Sequence, residues 1–385
     1  MDFELGKETK MIQDAARKFS KKVLEPNASE ADEKEIFPRN EWAKLSELGF
    51  AGLITPEEFG GSGSDYKTMV AVMEEIGKGC VATAGTYSVH LTIQSLLTNY
   101  GSEEQKKRYL PHMVSGEKIG AMALTESDAG SDLTPIKSEA VLKGNNYTIN
   151  GNKIFITSAG EASIYIVFAR VNAESKKENL TAFIVEKGTN GFEFGKLEDK
   201  MGYRGSPTGE LLFRDCIVSE ENMIGEIGDG FKMVLNGLNY GRISVGAIAL
   251  GIASAAYERC IKYVKERKQF GKSIGSFQGI QWMLADMATS ISASRLLLYQ
   301  AASMADKGER FIKEASMAKC YASDTAMSVT TNAVQLFGGY GYLKDYIVER
   351  HMREAKIFQI VEGTNQIQRT TIGRELLRTN ARIYP

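Results

Sequence analysis

At 385 residues the chain has room for two or three domains or subdomains of about 100–200 residues each, and its apolar and charged fractions, 43% and 25%, are those of an ordinary globular protein. A formal net charge of -1 excludes an overall field that would favour nucleic acid or an anionic membrane. The acidic start Met1-Asp2-Phe3-Glu4 has no basic segment ahead of an apolar one, and no apolar run is long enough to span a bilayer, so a soluble, cytoplasmic protein is expected.

Residues 1–120 read as a helical domain. Met11, Ala15, Phe19 and Val23 form one apolar stripe, ending at Pro26; Trp42, Leu45 and Leu48 form another, closed by Gly49 as a helix stop. The stretch Thr55 to Gly63 is rich in glycine but has no Lys-Ser/Thr ending, and its acids would repel phosphate, so it is a turn between helices. Helices are predicted over 65–79 and about 83–100, and Ser102 with Gln105 opens another with a capping-box pattern.

Residues 121–230 read as a β domain, a barrel or sandwich. Strands are predicted at Tyr147 to Ile149, Lys153 to Thr157, Ile164 to Arg170, Thr181 to Glu186 and Glu210 to Phe213, with turns at Asn145-Asn146 and Asn150-Gly151. From 231 to 385 the helical period returns. Ile243, Ala247, Leu250 and Ser254 make one stripe, Ile280, Leu284, Met287 and Ile291 a second, and Ala318, Ala322, Ala326 and Val329 a third. Their many small residues suit a closely packed four-helix bundle. The fold class is therefore α+β. No Gly-x-Gly-x-x-Gly follows a strand, which excludes a dinucleotide-binding βαβ pattern. Four scattered cysteines, Cys80, Cys216, Cys260 and Cys320, make no CxxC and point to buried free thiols. The three histidines have no ligand spacing, so no metal site is expected.

Five stretches carry possible chemistry, and each also has a plain structural explanation. Met122-Ala123-Leu124-Thr125 through Gly130-Ser131 offers small residues, hydroxyls and backbone N–H groups to a flat or phosphorylated ligand; it also reads as a loop leading into the β domain. Phe155-Ile156-Thr157 places an aromatic and a hydroxyl on a strand, which equally is a strand with one face in the core. In Asn239-Tyr240-Gly241-Arg242, expected at the start of a helix, the arginine can bind phosphate or a carbonyl, or be a surface cation. Arg267 to Phe270 and Gly271 reads as a basic helix end with a glycine stop, as do the glycines of Gln335-Leu336-Phe337-Gly338-Gly339. Last, Glu362-Gly363-Thr364-Asn365-Gln366 sits just ahead of a predicted helix, with Asn365 and Gln368 fitting a capping box. The helix dipole favours the Glu362 anion, whereas an apolar pocket would raise its pKa toward that of a general base; the simpler reading is an acid that stabilises the helix.

Together these stretches resemble the acyl-CoA dehydrogenase family, in order and at similar spacing along nearly the whole chain. The family segment Tyr-Glu-Gly-Thr followed by Ile-Gln-Arg is similar to Val361-Glu362-Gly363-Thr364 and Ile367-Gln368-Arg369, and Leu-Thr/Ser-Glu with Gly-Ser-Asp is similar to Leu124-Thr125-Glu126 and Gly130-Ser131-Asp132. The resemblance implies FAD as cofactor, with Met122, Ala123, Leu124, Thr125, Gly130, Ser131, Phe155, Ile156 and Thr157 along the flavin. It implies FAD contacts across subunits from Arg267, Phe270, Gln278, Gln335, Leu336, Phe337, Gly338 and Gly339, and a final contact from Thr364, Asn365 and Gln366. Ser131, Asn239, Tyr240, Gly241, Arg242 and Gly363 are implied at acyl-CoA. A homotetramer and an electron-transfer flavoprotein partner follow from the same likeness. Asn239 departs from the family's usual Asp and Phe155 from its Trp. In some branches the base stands where Gly241 stands here, which leaves Glu362.

The reaction implied is oxidation of an acyl-CoA thioester to the trans-2-enoyl-CoA, a step of fatty-acid β-oxidation. Glu362 would remove the α-proton as the β-hydride passes to flavin N5, with the thioester carbonyl polarised by the Glu362 N–H and the ribityl 2′-hydroxyl. Val361 in place of the usual Tyr suggests a wider pocket, for a branched, cyclic or aryl acyl group. The rivals are an enoyl-CoA reductase running in reverse, an oxygen-using oxidase, whose usual extra C-terminal domain this sequence lacks, and a flavin-free helical binding protein.

Overall fold

In the computed structural model the described residues are 4–171 and 179–378; Met1, Asp2 and Phe3, read above as part of an acidic start, lie outside them. The first apolar stripe does not end at Pro26. Helix α1 (Lys7–Phe19) runs through a π-helical turn at Ser20–Leu24 into α2 (Glu25–Lys34), with the proline in the first turn of α2. The wide turn shifts the hydrogen-bond ladder, and a proline placed there has little intrahelical bonding to lose. Helix α3 (Arg39–Glu47) closes at Gly49, whose φ of 78° needs a residue without Cβ. Helix α4 (Tyr66–Gly79) is capped by Asp65, which accepts from the Thr68 N–H at 2.8 Å. Helices α5 (Val81–Tyr100) and α6 (Glu103–Val114) follow, the second with the Ser102/Gln105 capping box complete.

The middle segment is a single sheet of eight strands: β1 (Gly120–Ala123), β2 (Glu139–Lys143), β3 (Asn146–Thr157), β4 (Ile164–Val171), β5 (Leu180–Glu186), β6 (Phe192–Leu197), β7 (Thr208–Ser219) and β8 (Met223–Ile224). The order is β6-β7-β3-β2-β4-β5-β8, and β1 lies parallel to β4 from Gly120 opposite Ile164. Strand β4 is buried on both faces, which is why it reads as a continuous apolar run. Its Tyr165, Val167 and Ala169 join the main core, and its Ile164, Ile166 and Phe168 a second core beneath α5 and α6. The turn expected at Asn150-Gly151 is absent. Both residues lie inside β3, at a register shift against β7 where Gly151 has φ 151° and a Cβ would meet Ser138 Oγ at 2.2 Å.

The C-terminal helices are α7 (Gly230–Glu266), then a short hairpin of β9 (Lys268–Gln269) and β10 (Lys272–Ser273), α8 (Gln278–Asp306), α9 (Ile312–Phe337), α10 (Val348–Ala355) and α11 (Asn365–Arg378). Helices α7, α8 and α9 pack together, with α4 against α7 and α8 and α11 on α9. The crossing of α4 and α7 is set by two glycines. A Cβ on Gly251 would stand 2.3 Å from the Glu74 carbonyl oxygen, and one on Gly77 2.9 Å from that of Ile248. Glu74, buried at that crossing, is held by Arg295 at 2.6 Å and by Ser254. All four cysteines are buried free thiols, as expected. No helix among the described residues is long and apolar enough to cross a membrane.

Helix α5 ties the sheet to the bundle. Toward the sheet, Thr86 reaches Ser158 and Ser206, and His90 Nδ1 accepts from the Gly120 N–H at 3.2 Å. Toward α7, Ser88 Oγ meets Ser244 Oγ at 2.6 Å, and Leu96 lies over Gly237.

Candidate active site

The turn ahead of α11 is held tightly. The N–H groups of Ile360 and Val361 both go to the Ile357 carbonyl, at 2.9 and 3.0 Å, and the helical bonding stops there. Glu362 then adopts φ 54° and Gly363 φ 84°. A left-handed conformation at a glutamate costs about 1–2 kcal/mol, so the surroundings must hold it. The capping box expected from Asn365 and Gln368 does not form. Thr364 is the cap, accepting from the Ile367 N–H at 3.3 Å. Gln368 instead donates its amide to the carbonyls of Glu362 and Gly363, at 2.9 and 3.0 Å. Asn365 turns inward, accepting from Lys319 Nζ at 2.9 Å and donating to Ser323 at 2.9 Å and Asp324 at 2.7 Å.

The Glu362 side chain is thereby left over α7. A Cβ on Gly241 would fall 2.5 Å from Glu362 Oε2, so the carboxyl occupies the space that the glycine leaves. Oε2 is sheltered and has no hydrogen-bond partner among the described residues. Burial pushes the Glu362 carboxyl up to about 7, against the pull of the Arg242 and Lys319 charges. Neither cation forms an ion pair with it among the described residues. Arg242 is itself buried, with Nη1 donating to Asn239 Oδ1 at 2.8 Å and Nε unpartnered. The motif Asn239 to Arg242 was expected at a helix start; it lies well inside α7, which begins at Gly230. There Asn239 keeps the acceptor oxygen that an Asp would have offered Arg242. Tyr240 stacks on Tyr66, with ring centres 4.7 Å apart.

The stretch 122–131, of small residues and hydroxyls, lies beside Phe155 to Thr157. The Ile154 N–H donates to the Thr125 carbonyl at 2.9 Å, and Lys153 Nζ to the Leu124 carbonyl at 3.1 Å. A bulge in β3 between Lys153 and Ile156 turns Phe155 outward at φ 57°, 61% exposed, with Thr157 half-buried and Gly130 and Ser131 exposed. One pair of residues here went unrecognised in the sequence. Lys153, fully buried, bonds Glu126 at 2.7 Å, and Glu126 also takes the N–H of Lys137 and both N–H and Oγ of Ser138. A lysine within a bulging strand and a glutamate 27 residues back give no local sign of meeting.

Arg267, Phe270, Gln278 and Gln335 to Gly339 lie around the far end of α7, whereas Gln366 is on α11, close in the chain to Glu362. Arg267, Leu336, Phe337, Gly338 and Gly339 line a cavity of about 490 Å³ together with Tyr263 and Tyr340. Arg267 lies over the Tyr340 ring at 5.4 Å, and an added Cβ at Gly338 or Gly339 would meet nothing within 4 Å. Phe270, at φ 51° on the hairpin tip, is 92% exposed; Gln278, Gln335 and Gln366 are also exposed. Exposed aromatic rings, a cationic and aromatic cleft and open glycines fit a flavin dinucleotide.

Residues 6–117 match the family model for the N-terminal domain of acyl-CoA dehydrogenase, residues 121–216 that for the middle domain and residues 228–377 that for the C-terminal domain. The chain belongs to the acyl-CoA dehydrogenase family. It is an FAD-dependent oxidoreductase of that family, with the three-part architecture read from the sequence. A short-chain specific acyl-CoA dehydrogenase of Clostridium acetobutylicum is 45% identical over 98% of this chain and 100% of the relative. An acryloyl-CoA reductase (NADH) of Anaerotignum propionicum is 46% identical over 98% and 96%. Among solved structures, butyryl-CoA dehydrogenase from Megasphaera elsdenii superposes with a TM-score of 0.96 at 45% identity, over 98% of this chain and 100% of that one. A chain in the structure of the electron transferring flavoprotein of Acidaminococcus fermentans gives 0.97 at 48% identity, over 98% and 100%.

Proposed function

We propose that this acyl-CoA dehydrogenase oxidises a short acyl-CoA thioester to its trans-2-enoyl-CoA, with Glu362 removing the α-proton. The observation that carries the proposal is the Glu362 carboxyl, unpartnered at Oε2, pressed over Gly241 and pushed up to about 7. A base in that range is deprotonated in a large fraction at neutral pH and still holds a proton firmly once it has one. The α-proton of a thioester is too weakly acidic for any free carboxylate, so the carbonyl needs fixed donors. The Glu362 N–H, taken by no acceptor among the described residues, is one such donor. Arg242, on the same helix as Gly241 and held there by Asn239, carries a charge that favours the ionised base. FAD, when bound, supplies the acceptor for the hydrogen and electron pair leaving the β-carbon.

Residues 122–131 with Phe155, Ile156 and Thr157 would hold the flavin ring end. The cavity at Arg267 and Gly338-Gly339 would hold the adenosine diphosphate end, of a second copy's cofactor. Gly241 and Arg267 are separated by one continuous helix, which puts them about 39 Å apart at 1.5 Å per residue. That is beyond the reach of one dinucleotide, which supports an oligomer, in keeping with a homotetramer. A purified protein that sediments as a monomer with full FAD would count against it. The likeness to a chain from an electron transferring flavoprotein structure supports such a flavoprotein as electron acceptor, in cytoplasmic β-oxidation.

The relatives' names favour a short, straight acyl chain over the branched, cyclic or aryl group suggested by Val361. That side chain packs on the main core, so its small size does not translate directly into pocket width. A kcat/KM series over butyryl-, isobutyryl- and cyclohexanoyl-CoA tests this; butyryl-CoA should lead, and a branched or cyclic leader would reverse the reading. The reductase relative keeps the opposite direction in view, since Glu362 would then return the α-proton. Steady-state rates measured both ways decide it.

A further inference from the structure

The sequence stretch around Ala318 reads as a stripe of small core residues, yet its next residue is Lys319, with no exposed surface at all. A buried ammonium needs acceptors and counter-charge, or it loses its proton. Lys319 Nζ finds two oxygens, the Gly363 carbonyl at 2.8 Å and Asn365 Oδ1 at 2.9 Å. Both belong to the turn that carries Glu362. The Gly363 carbonyl is thus gripped from two sides, by Lys319 of α9 and by Gln368 of α11.

We infer that Lys319 is a positioning residue of the active site: its buried ammonium fixes the left-handed Glu362-Gly363 turn through the Gly363 carbonyl and Asn365, and supplies a positive charge that favours ionisation of the base. The inference rests on the reading of Glu362 as that base. The charges facing the pair are few. Arg242 on α7 faces both Glu362 and Lys319, while Cys320 and Asp324 on α9 face Lys319 alone. Asp324 is already engaged by Arg369, Gln359 and Asn365, at 2.6, 2.7 and 2.7 Å. Glu362 is therefore the acid in this group without a partner, and Lys319 has burial working against its charge, down to about 8, with Glu362 foremost in resisting it. A lysine needed only to fill space would be served by methionine; a lysine that acts on Glu362 would not.

The test uses the full FAD-loaded enzyme carrying Lys319→Gln, which keeps a donor for the two oxygens without the charge, and Lys319→Met, which keeps neither. Two readouts are taken: the pH dependence of kcat/KM, and the infrared carboxyl band of Glu362 in the substrate-free enzyme, identified by its loss in Glu362→Gln. With the positive charge gone, the Glu362 proton is held more tightly. Both variants should move the acid limb and the band midpoint to higher pH, by about half a unit to two units. On the alkaline plateau Lys319→Gln should keep most of its kcat, and Lys319→Met should lose about ten- to a hundredfold through a misplaced base. Midpoints equal to the parent's in Lys319→Gln, with nothing lost but thermal stability, would overturn the inference. The infrared band reads the coupling without turnover, so the two readings fail separately. Should Glu362→Gln stay active, the base assignment falls while the band still reports on Lys319.

Discussion

Glu362→Gln separates the cost of the candidate base from its use. The carboxyl rises from an ordinary 4.5 to about 7 on folding, chiefly through burial. At about 1.4 kcal/mol for each pH unit, the native state holds the proton about 3.5 kcal/mol more tightly than the unfolded chain. The sign follows from that. Below pH 4.5 the group is protonated in both states and contributes no difference. Between 4.5 and 7 the native state binds more proton than the unfolded one, so stability falls as pH rises. Above 7 the full penalty of an ionised, sheltered carboxylate remains. Glutamine has nearly the same shape and no charge to desolvate. The variant should therefore melt with the parent near pH 5 and a few degrees above it at pH 8.5, while turnover with butyryl-CoA drops by roughly 10²–10⁴-fold or more. Paired thermal melts at the two pH values and a steady-state assay suffice, because only the difference between variant and parent is read. A variant that loses stability equally at both values would show that Glu362 is held by partners and not strained by burial. One that turns over at the parent rate would end its role as base.

Two further substitutions probe the surroundings. Gly241→Ala puts a methyl group 2.5 Å from the present place of Glu362 Oε2, so the carboxyl must swing aside; kcat/KM should fall about a hundredfold with the flavin spectrum unchanged, and an unaltered rate would mean that the carboxyl does not work from this position. Lys153→Met leaves Glu126 buried without its cation, which should cost about 3–5 kcal/mol and loosen residues 124–126, seen as a lower melting temperature and weaker FAD retention on dilution; restoration by adding Glu126→Gln is the expected signature of the lost pair, and no change in either measure would refute it.

Signals that act between near neighbours were legible, and those that depend on distant partners were not. Asp65 and Ser102 cap their helices as read, because a cap needs only the first turn after it. The apolar run at Ile164 to Arg170 reads as a strand, and the structure covers it on both faces. Pro26 and the Asn150-Gly151 pair misled, since a π-turn and a bulge absorb residues that normally end an element. Lys153 and Lys319 went unseen as site residues because their acceptors lie 27 and 44 residues away in the chain. The stretch around Glu362 was found by its resemblance, yet its local hydrogen bonding differs from the sequence reading. By helix-capping rules Asn365 and Gln368 should have served the start of α11. In the fold they hold the backbone of Glu362 and Gly363, or the lysine behind it. Gln368 and Thr364 are thus spent on the turn and the first turn of α11, Asn365 on α9, and none on the carboxylate. A local rule broken at the one residue whose side chain must stay without a partner is what a general base requires, so the departure from the capping pattern supports the reading of Glu362 as base more directly than its observance would have done.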